Sequence, residues 1–184
     1  NGLIYALKAM KKNFLIKEER TDMAQKERDI LIMANYPFIV SMYFAFQSKS
    51  KVYIGLEYLH GGQLFRLVQA KHRITMPQLC FYISEIALAL NYLHSIGIVY
   101  RDLKLENVLV CEDGHIKLTD FGLSKKIMDR NGVVTKTGTF CGTDEYIAPE
   151  MLKDQKYGFE VDWWELGVLM YELAFHVTPF YAKS

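Results

Sequence analysis

A chain of 184 residues is long enough to bury the core of one well-packed domain. Hydrophobic residues make up 51% of it and charged residues 23%, which argues against a disordered chain. The net charge of +1 provides no strong attraction to nucleic acid or to an anionic membrane, and no apolar run reaches transmembrane length. The three cysteines, Cys80, Cys111 and Cys141, are widely spaced and match no metal-ligand spacing. They indicate a reducing compartment, which is the cytoplasm or also the nucleus.

The first predicted elements are a strand and a helix, each with one unusual charge. Residues 3–10 alternate as a strand, and Lys8 is the lone charge within it. A helix that begins at a Thr21 cap and runs to about Ala34 follows, and Glu27 interrupts its apolar stripe. A carboxylate on a buried face needs a cationic partner. The alternatives are that Lys8 is a surface lysine whose aliphatic stem lies along apolar surface, and that Glu27 is solvated.

Two strands and a long helix come next. Residues 38–46 and 51–59 form strands joined by a polar turn, and the glycines of residues 60–62 give a flexible connection that could be a plain domain linker. Thr75 and Pro77 then begin a helix. Its apolar residues recur at intervals of four and three and predict a core face: Leu79, Ile83, Ile86, Leu90 and Leu93.

A β-hairpin is predicted at residues 108–118. Residues 108–111 and 115–118 are short runs rich in strand-forming residues. The Asp113-Gly114 dipeptide between them is a strong hairpin signal. A hairpin returns its two ends to the same place, so residues just before the first strand should lie close to residues just after the second.

Those two ends carry oxygen ligands. Asp102 and Asn107 precede the hairpin and Asp120 follows it, while Lys104 adds one cation beside them. Two carboxylates and a carboxamide suit a hard divalent cation, and magnesium usually completes its coordination with water and phosphate oxygens. The alternative is a solvated turn with incidental acids.

The last third of the chain contains a long loop and an apolar helix. Residues 124–139 are too long for an ordinary connection and predict a functional or mobile loop. Residues 160–175 are apolar nearly all round, which predicts a helix buried on every side at the centre of a domain. Asp162 near its start could simply be an acid favoured by the helix dipole.

Several of these stretches resemble protein kinases. Residues 100–107, Tyr-Arg-Asp-Leu-Lys-Leu-Glu-Asn, resemble the catalytic loop of the family, and residues 120–122, Asp-Phe-Gly, resemble its magnesium-binding segment. Tyr100 in place of the usual His, the Thr-Phe-Cys-Gly-Thr of residues 139–143 and the Asp-Trp-Trp of residues 162–164 look like the AGC group of serine/threonine kinases, most of all its protein kinase C-like members.

The resemblance spans essentially the whole chain and implies an α+β, two-lobed fold. Residues 1–59 would belong to a small β-rich N-lobe and residues 60–184 to a mainly helical C-lobe, with the hinge at residues 57–61. The phosphate-covering glycine-rich loop should precede Tyr5, and the large lobe should continue past Ser184. Since the chain also begins with Asn1-Gly2, we expect both lobes to be incomplete and the chain to be a piece of a longer kinase.

The resemblance assigns catalytic and metal-binding roles. Asp102 would accept the proton of the substrate hydroxyl, Lys104 would stabilise the transferring phosphate, and Thr143 would bond to both. Asn107 and Asp120 would bind Mg²⁺.

A second set of residues would bind ATP. Lys8, held by an ion pair with Glu27, would position the phosphates. Backbone groups of Glu57 and Leu59 would pair with the adenine, with Leu56 at the back of the nucleotide pocket. The implied ATP-binding residues are Ala6, Lys8, Glu27, Glu57, Leu59, Leu109 and Asp120.

Regulation is also implied. Thr139 resembles the activation-loop site that an upstream kinase phosphorylates, and a phosphate there would pair with Arg101 and Lys125. The family's further basic partner corresponds to Met23 here.

The remaining implied roles concern substrate recognition and support. Glu106 and Glu172 match acids that pair with basic residues near the phosphoacceptor, while a third such acid corresponds to the neutral Gln63. Asp162 would bond to the backbone of the catalytic loop, and Glu150 would anchor the activation loop. The structural set is Arg101, Phe121, Gly122, Glu150 and Asp162.

The function predicted from these features is ATP- and Mg²⁺-dependent phosphorylation of serine or threonine in proteins, with basic residues near the acceptor. The partners would be protein substrates, with no nucleic acid and no membrane span. A pseudokinase or nucleotide-binding scaffold is the alternative. A small-molecule phosphotransferase is a third interpretation, but residues 139–143 and 148–150 favour a protein substrate.

Overall fold

The computed structural model describes residues 2–17, 22–70 and 73–182. In this part of the chain, helices alternate with short antiparallel strands. The strands are β1 (Tyr5–Lys11), β2 (Met42–Gln47), β3 (Lys51–Glu57), β4 (Gly62–Gln63), β5 (Ile98–Val99), β6 (Val108–Val110), β7 (Ile116–Leu118) and β8 (Lys125–Lys126). The α-helices are α1 (Lys12–Lys17), α2 (Met23–Met33), α3 (Phe65–Gln69), α4 (Met76–Ser95), α5 (Pro149–Leu152) and α6 (Glu160–Phe175).

The N-terminal third forms one sheet, in the order β1-β3-β2, with α2 beside it. In β1, half-buried residues alternate with exposed ones, as a strand with one solvated face requires. Helix α2 buries Glu27 together with apolar residues of the same face. The strand predicted at residues 38–46 is shorter than expected, and α2 begins after Asp22. The predicted cap, Thr21, lies outside the described residues.

The predicted hairpin is confirmed, because β6 and β7 pair antiparallel with Val108 opposite Leu118. The turn places Gly114 at a φ of 90°, a conformation that favours glycine. Backbone bonds also join the hairpin to the N-terminal region: Leu118 donates to Phe38 O at 2.9 Å and Val40 donates to Leu118 O at 2.9 Å. The strand that leads to Asp120 is therefore fixed from both sides.

Helix α4 follows its sequence pattern closely. Thr75 caps it, and a capping box joins Thr75 to Gln78. Three residues of the predicted stripe, Ile86, Leu90 and Leu93, are fully buried. They pack in one core with residues from both the sheet region and the hairpin. Within the described residues, no helix is long and apolar enough to cross a membrane.

Helix α6 has the predicted bounds, but the prediction that it is buried on every side is wrong. It packs against α4 and a short 3₁₀ turn at Asp144–Tyr146. The rest of its surface is covered only in part among the described residues: His94 packs edge-on against Trp163 and Phe180 stacks on Trp164. Five large side chains of the helix are therefore exposed: Trp163, Trp164, Met170, Tyr171 and Phe175.

The segment predicted as one long loop has more structure than expected. Strand β8 pairs with β5 directly after the Asp-Phe-Gly turn. Isolated bridges then join Met128 to Val134 and Thr137 to Tyr157. The β5–β8 pair and the Thr137–Tyr157 bridge join residues 124–139 to other parts of the chain, while the Met128–Val134 bridge lies within the segment. Strand β8 went unpredicted because two charged lysines carry no strand signal.

Candidate active site

Two backbone positions at the site are strained. Arg101 has a φ of 68° and Asp120 a φ of 57°, and both lie in the left-handed region that side chains rarely adopt. Such conformations cost about 1–3 kcal/mol each and persist only where the surroundings impose them. Here the surroundings are a dense set of hydrogen bonds on both sides of Asp102.

Asp102 is the centre of a four-residue network. Its Oδ1 accepts from Thr143 Oγ1 at 2.9 Å and from Lys104 Nζ at 3.1 Å. Lys104 Nζ also donates to Thr143 Oγ1 at 3.0 Å. Asn107 Nδ2 donates to Asp102 Oδ2 at 2.8 Å. Since Asp102 is only 7% exposed, its carboxylate is held in one orientation.

Lys8 joins the sheet, α2 and the turn after the hairpin. Its Nζ lies 2.6 Å from Glu27 Oε1 and 2.8 Å from Asp120 Oδ1. Burial alone would lower the pKa of Lys8, but the carboxylates of Glu27 and Asp120 raise it above its ordinary value. Burial raises the pKa of Glu27. Burial would also raise the pKa of Asp120, but Lys8, helped by Gly122 N–H and Lys104, lowers it below its ordinary value. Lys8 and Asp120 are therefore both charged near neutral pH.

Lys8, Glu27, Asp102 and Asp120 face one cavity. Its volume of about 640 Å³ is within the usual range for small-molecule sites. The carboxylates before and after the hairpin thus lie where the hairpin predicts, beside Lys8. The cavity is lined by Lys8, Ala9, Met10, Lys11, Phe14, Leu15, Met23, Glu27, Asp102, Asp120, Gly122 and Leu123.

The oxygen atoms near Asp120 suit a hard cation. Asn107 Nδ2 donates to the carbonyl and to the carboxylate of Asp102, both at 2.8 Å. In the part of the chain that the structure describes, no donor reaches Asn107 Oδ1, so this oxygen is available as a ligand. Asp120 Oδ1 accepts from Gly122 N at 3.2 Å and from Lys8. A carboxamide oxygen and a carboxylate are ligands that magnesium accepts.

The residues expected to pair with adenine lie outside that cavity. Glu57 ends β3, and its N–H donates to Ser41 O at 2.9 Å, so this N–H is not available to a ligand. Leu59 is half-buried just beyond it, and Leu56 is buried. Ala6 pairs with Leu56, one position before the end of β3. Leu109 pairs with Gln63 across β4 and β6.

One ion pair beside this region was missed by the sequence analysis. Lys117 Nζ lies 2.8 Å from Glu57 Oε1 and 2.9 Å from Glu57 Oε2. Glu57 Oε1 also accepts from Ser41 N at 2.6 Å. The pair ties the end of β3 to the hairpin. Sixty residues separate the partners, and each occupies a strand position where a solvated charge is ordinary, so no local pattern marks them.

Glu106 and Glu172 lie close enough for their charges to interact. Tyr146 OH donates to Glu172 Oε2. Burial and the charges of Glu106 and Glu145 raise the pKa of Glu172. Gln63 is exposed at the start of the C-terminal part.

Thr139 is exposed, and one intervening side chain links it to each of the two residues expected to bind its phosphate, Lys125 and Arg101. Lys125 Nζ donates to Thr137 Oγ1 at 2.9 Å, and Thr137 Oγ1 lies 3.4 Å from Thr139 Oγ1. On the other side, Arg101 Nη1 donates to Tyr157 OH at 3.1 Å, and Tyr157 OH donates to Thr139 O at 2.5 Å. Arg101 and Lys125 therefore converge on Thr139 without contacting it.

The predicted anchor of the catalytic loop is fully buried. Asp162 Oδ2 accepts from Tyr100 N at 2.9 Å, and Oδ1 accepts from Arg101 N at 2.8 Å. His94 Nε2 lies 2.7 Å from Oδ2. One turn later on α6, Glu165 Oε2 accepts from Leu103 N at 2.8 Å. The sequence analysis missed Glu165 because a glutamate within an apolar helix is a weak signal on its own.

The other structural residues also occupy defined positions. Phe121 is buried and packs edge-on against Tyr100, with ring centroids 5.3 Å apart. A side chain at Gly122 would meet Asp120 Oδ1 at 3.2 Å and would approach Lys8 and Glu27. Glu150 is half-buried in the first turn of α5.

Comparisons with known proteins identify the family of the chain. The protein kinase domain family matches residues 1–184. The chain belongs to the protein kinase domain family. Serine/threonine-protein kinase Sgk1 of Mus musculus is 45% identical over 183 residues, which are 99% of this chain and 42% of that protein. Ribosomal protein S6 kinase alpha-1 of Rattus norvegicus is 46% identical over the whole chain, which spans 24% of it. Ribosomal protein S6 kinase alpha-6 of Danio rerio is 47% identical, with 24% covered.

These relatives confirm the AGC-type serine/threonine kinase resemblance and the α+β kinase fold. The kinase chain spans less than half the length of the curated relatives named above. The lobe boundary near residue 59 and the individual roles of the site residues stay predictions.

Proposed function

We propose that this kinase chain, within its full-length protein, transfers the γ-phosphoryl group of ATP to serine or threonine hydroxyls of protein substrates. The observation that carries the proposal is the convergence of Lys8, Asp102 and Asp120 on one cavity, with Glu27 fixing Lys8. Phosphoryl transfer needs alignment and neutralisation of charge more than covalent help, and this arrangement supplies both.

The chemical step would proceed around Asp102. The substrate hydroxyl oxygen bonds to the γ-phosphorus, the bond to the bridging oxygen of ADP breaks, and the hydroxyl proton passes to Asp102. Thr143 and Lys104 hold the Asp102 carboxylate at 2.9 Å and 3.1 Å. Lys104 would also neutralise charge on the transferring phosphate. Lys8, charged and fixed by Glu27, would bind the non-transferred phosphates.

Magnesium fits the same proposal. Asn107 Oδ1 and the Asp120 carboxylate would hold it, and when bound it neutralises charge on the phosphate oxygens. The ion pair between Lys8 and Asp120 would then loosen, because the carboxylate would face a divalent cation.

We further propose that an upstream kinase phosphorylates Thr139. Arg101 and Lys125 approach Thr139 from two sides, each through one intervening residue. A phosphate of roughly −1.5 to −2 charges at neutral pH would attract both cations and tighten the loop against the catalytic loop. Met23 lines the cavity at the position that corresponds to the family's further basic residue, so no third cation would pair with the phosphate on Thr139.

Substrate preference would follow from two acids. Glu106 and Glu172 interact electrostatically near Tyr146, which leaves a negative region for basic residues of a substrate. Since Gln63 is neutral, the preference should be weaker where the peptide passes that residue.

The test is a phosphorylation assay of the full-length protein with peptides that carry Ser, Thr or Tyr beside basic, neutral or acidic residues. We expect phosphoserine or phosphothreonine on basic peptides. A Glu172→Gln variant should raise KM for basic peptides by about tenfold or more, since losing one charge-assisted contact costs about 1.5–3 kcal/mol, while KM for neutral peptides changes little. Acidic or proline-directed preference would contradict the substrate proposal. Absence of transfer in the wild type would favour a nucleotide-binding scaffold.

A further inference from the structure

Glu165 is a buried carboxyl group without an assigned role. It lies on α6, one turn after Asp162, and is 1% exposed. Its Oε2 accepts from Leu103 N at 2.8 Å. Within the described residues, its Oε1 is a buried side-chain atom that has no hydrogen-bond partner. Buried polar atoms are rarely left unpaired, so this one requires an explanation.

Glu165 binds the backbone just after Asp102 in the chain, whereas Asp162 binds the backbone just before it. Asp162 holds the N–H groups of Tyr100 and Arg101, while Glu165 holds the N–H of Leu103. The two carboxyl groups of α6 therefore fix the backbone on both sides of Asp102, including the strained φ of 68° at Arg101. The catalytic loop is thus held by one rigid helix at three points.

We propose that Glu165 is a positioning residue for Asp102 and that it acts as a neutral carboxylic acid. The proposal deepens the proposed phosphotransfer function and rests on it for its kinetic consequences. A neutral acid keeps Oε2 as the acceptor for Leu103, while the proton on Oε1 turns an unpaired acceptor into a donor. The Arg101 carbonyl oxygen and Glu165 Oε1 border the same space, at 3.3 Å and 3.8 Å from the position that a Cβ at Gly142 would take.

The surrounding charges explain why the acid is neutral. Burial and then the carboxylate of Asp162 raise the pKa of Glu165 well above its ordinary value, and Asp102 adds to the effect. The hydrogen bond from Leu103 N–H and then the charge of Arg101 oppose this increase without cancelling it. The Arg101 guanidinium donates to other acceptors. Tyr100, also fully buried, has its own pKa raised, first by burial and also by these carboxyl groups, so it stays uncharged.

Two variants separate an acceptor role from a charged role. Glu165→Gln keeps the acceptor for Leu103 and a neutral side chain of the same shape, whereas Glu165→Met keeps the length and removes the acceptor. Glu160→Gln is the matched control, because Glu160 lies in the first turn of the same helix but is exposed. All variants are made in the full-length protein.

The kinetic readout compares kcat and KM. We expect Glu165→Met to lower kcat about tenfold or more with KM for ATP within about twofold, while Glu165→Gln and Glu160→Gln stay within about threefold of wild type. A loss in Glu165→Gln as large as in Glu165→Met would overturn the neutral-acid assignment.

Two further readouts do not depend on activity. Amide hydrogen exchange at Leu103 should be faster in Glu165→Met than in Glu165→Gln. The folded state keeps a proton on Glu165 that the unfolded state releases, so wild-type stability falls as pH rises above the ordinary glutamate pKa. The melting temperature of Glu165→Gln relative to wild type should therefore increase with pH. Equal exchange at Leu103 in all variants, or a pH-independent difference, would overturn the proposal even if the wild type transferred no phosphate.

Discussion

The backbone N–H groups of Tyr100 and Arg101 both donate hydrogen bonds to the carboxylate of Asp162. Because Asp162 has no exposed surface, water cannot replace it when it is removed. An unpaired buried donor costs about 1–3 kcal/mol, which is more than the net gain from forming an ordinary hydrogen bond. At the residue scale, the catalytic loop therefore depends on acceptors within α6 rather than on its own sequence.

We expect Asp162→Ala to lower the free energy of unfolding by about 2–6 kcal/mol, since it leaves two buried donors unpaired. Asp129→Ala is the control, because Asp129 also accepts two backbone N–H groups, those of Asn131 and Val133 at 2.8 Å, but is exposed. Water can replace its oxygens, so the loss should stay below about 1 kcal/mol. Denaturant unfolding of the full-length variants measures both values, and similar losses would refute the argument from burial.

At the scale of elements, the hairpin and α4 are joined by a carboxyl group on the helix. Glu85 is buried on α4. Its Oε2 accepts from Ile116 N at 3.0 Å, and its Oε1 lies 2.5 Å from His115 Nδ1. The hydrogen bond and the charge of Glu85 raise the pKa of His115. The helix thus fixes the start of β7, the strand that leads to Asp120.

This contact predicts a pH-dependent stability. The folded state holds a proton on His115 more tightly than the unfolded state does, so the stabilisation is full below the ordinary histidine pKa and is lost as pH rises through the folded value. Wild type should therefore melt above His115→Asn at about pH 5.5, and the gap should shrink by about pH 9.

His176→Asn serves as the control, because His176 is exposed at the end of α6 with a φ of 60°, which asparagine tolerates. Its melting temperature relative to wild type should change less with pH than that of His115→Asn. A His115→Asn difference that is the same at all pH values would count against the ion pair.

At the scale of the whole molecule, local patterns predicted most elements and most of the site. The Asp113-Gly114 turn predicted the hairpin, and the stripe on α4 predicted a core face. The proximity of Asp102 and Asp120 followed from the closure of that hairpin. Local patterns marked Lys8 and Glu27 as unusual charges, while the family resemblance supplied their roles, Thr143 and the anchoring role of Asp162.

The errors and omissions arise where long-range packing decides. The exposed face of α6 depends on what packs there, which no helix pattern contains. The ion pair between Glu57 and Lys117 joins residues 60 positions apart, and β8 exists because β5 accepts it. Glu165 was missed for the same reason, since its significance comes from the Leu103 N–H that it meets.

The central claim is that Asp102 promotes phosphoryl transfer from ATP to the protein substrate, while other residues of the same cavity bind the ATP. The most direct measurement is the single-turnover rate of γ-phosphoryl transfer in full-length wild type and Asp102→Asn, together with the Kd for Mg²⁺-ATP. We predict a rate lowered about 10²–10⁴-fold, as expected for loss of a general base, with the Kd for ATP changed less than about threefold. Equal transfer rates in the two proteins would contradict the account.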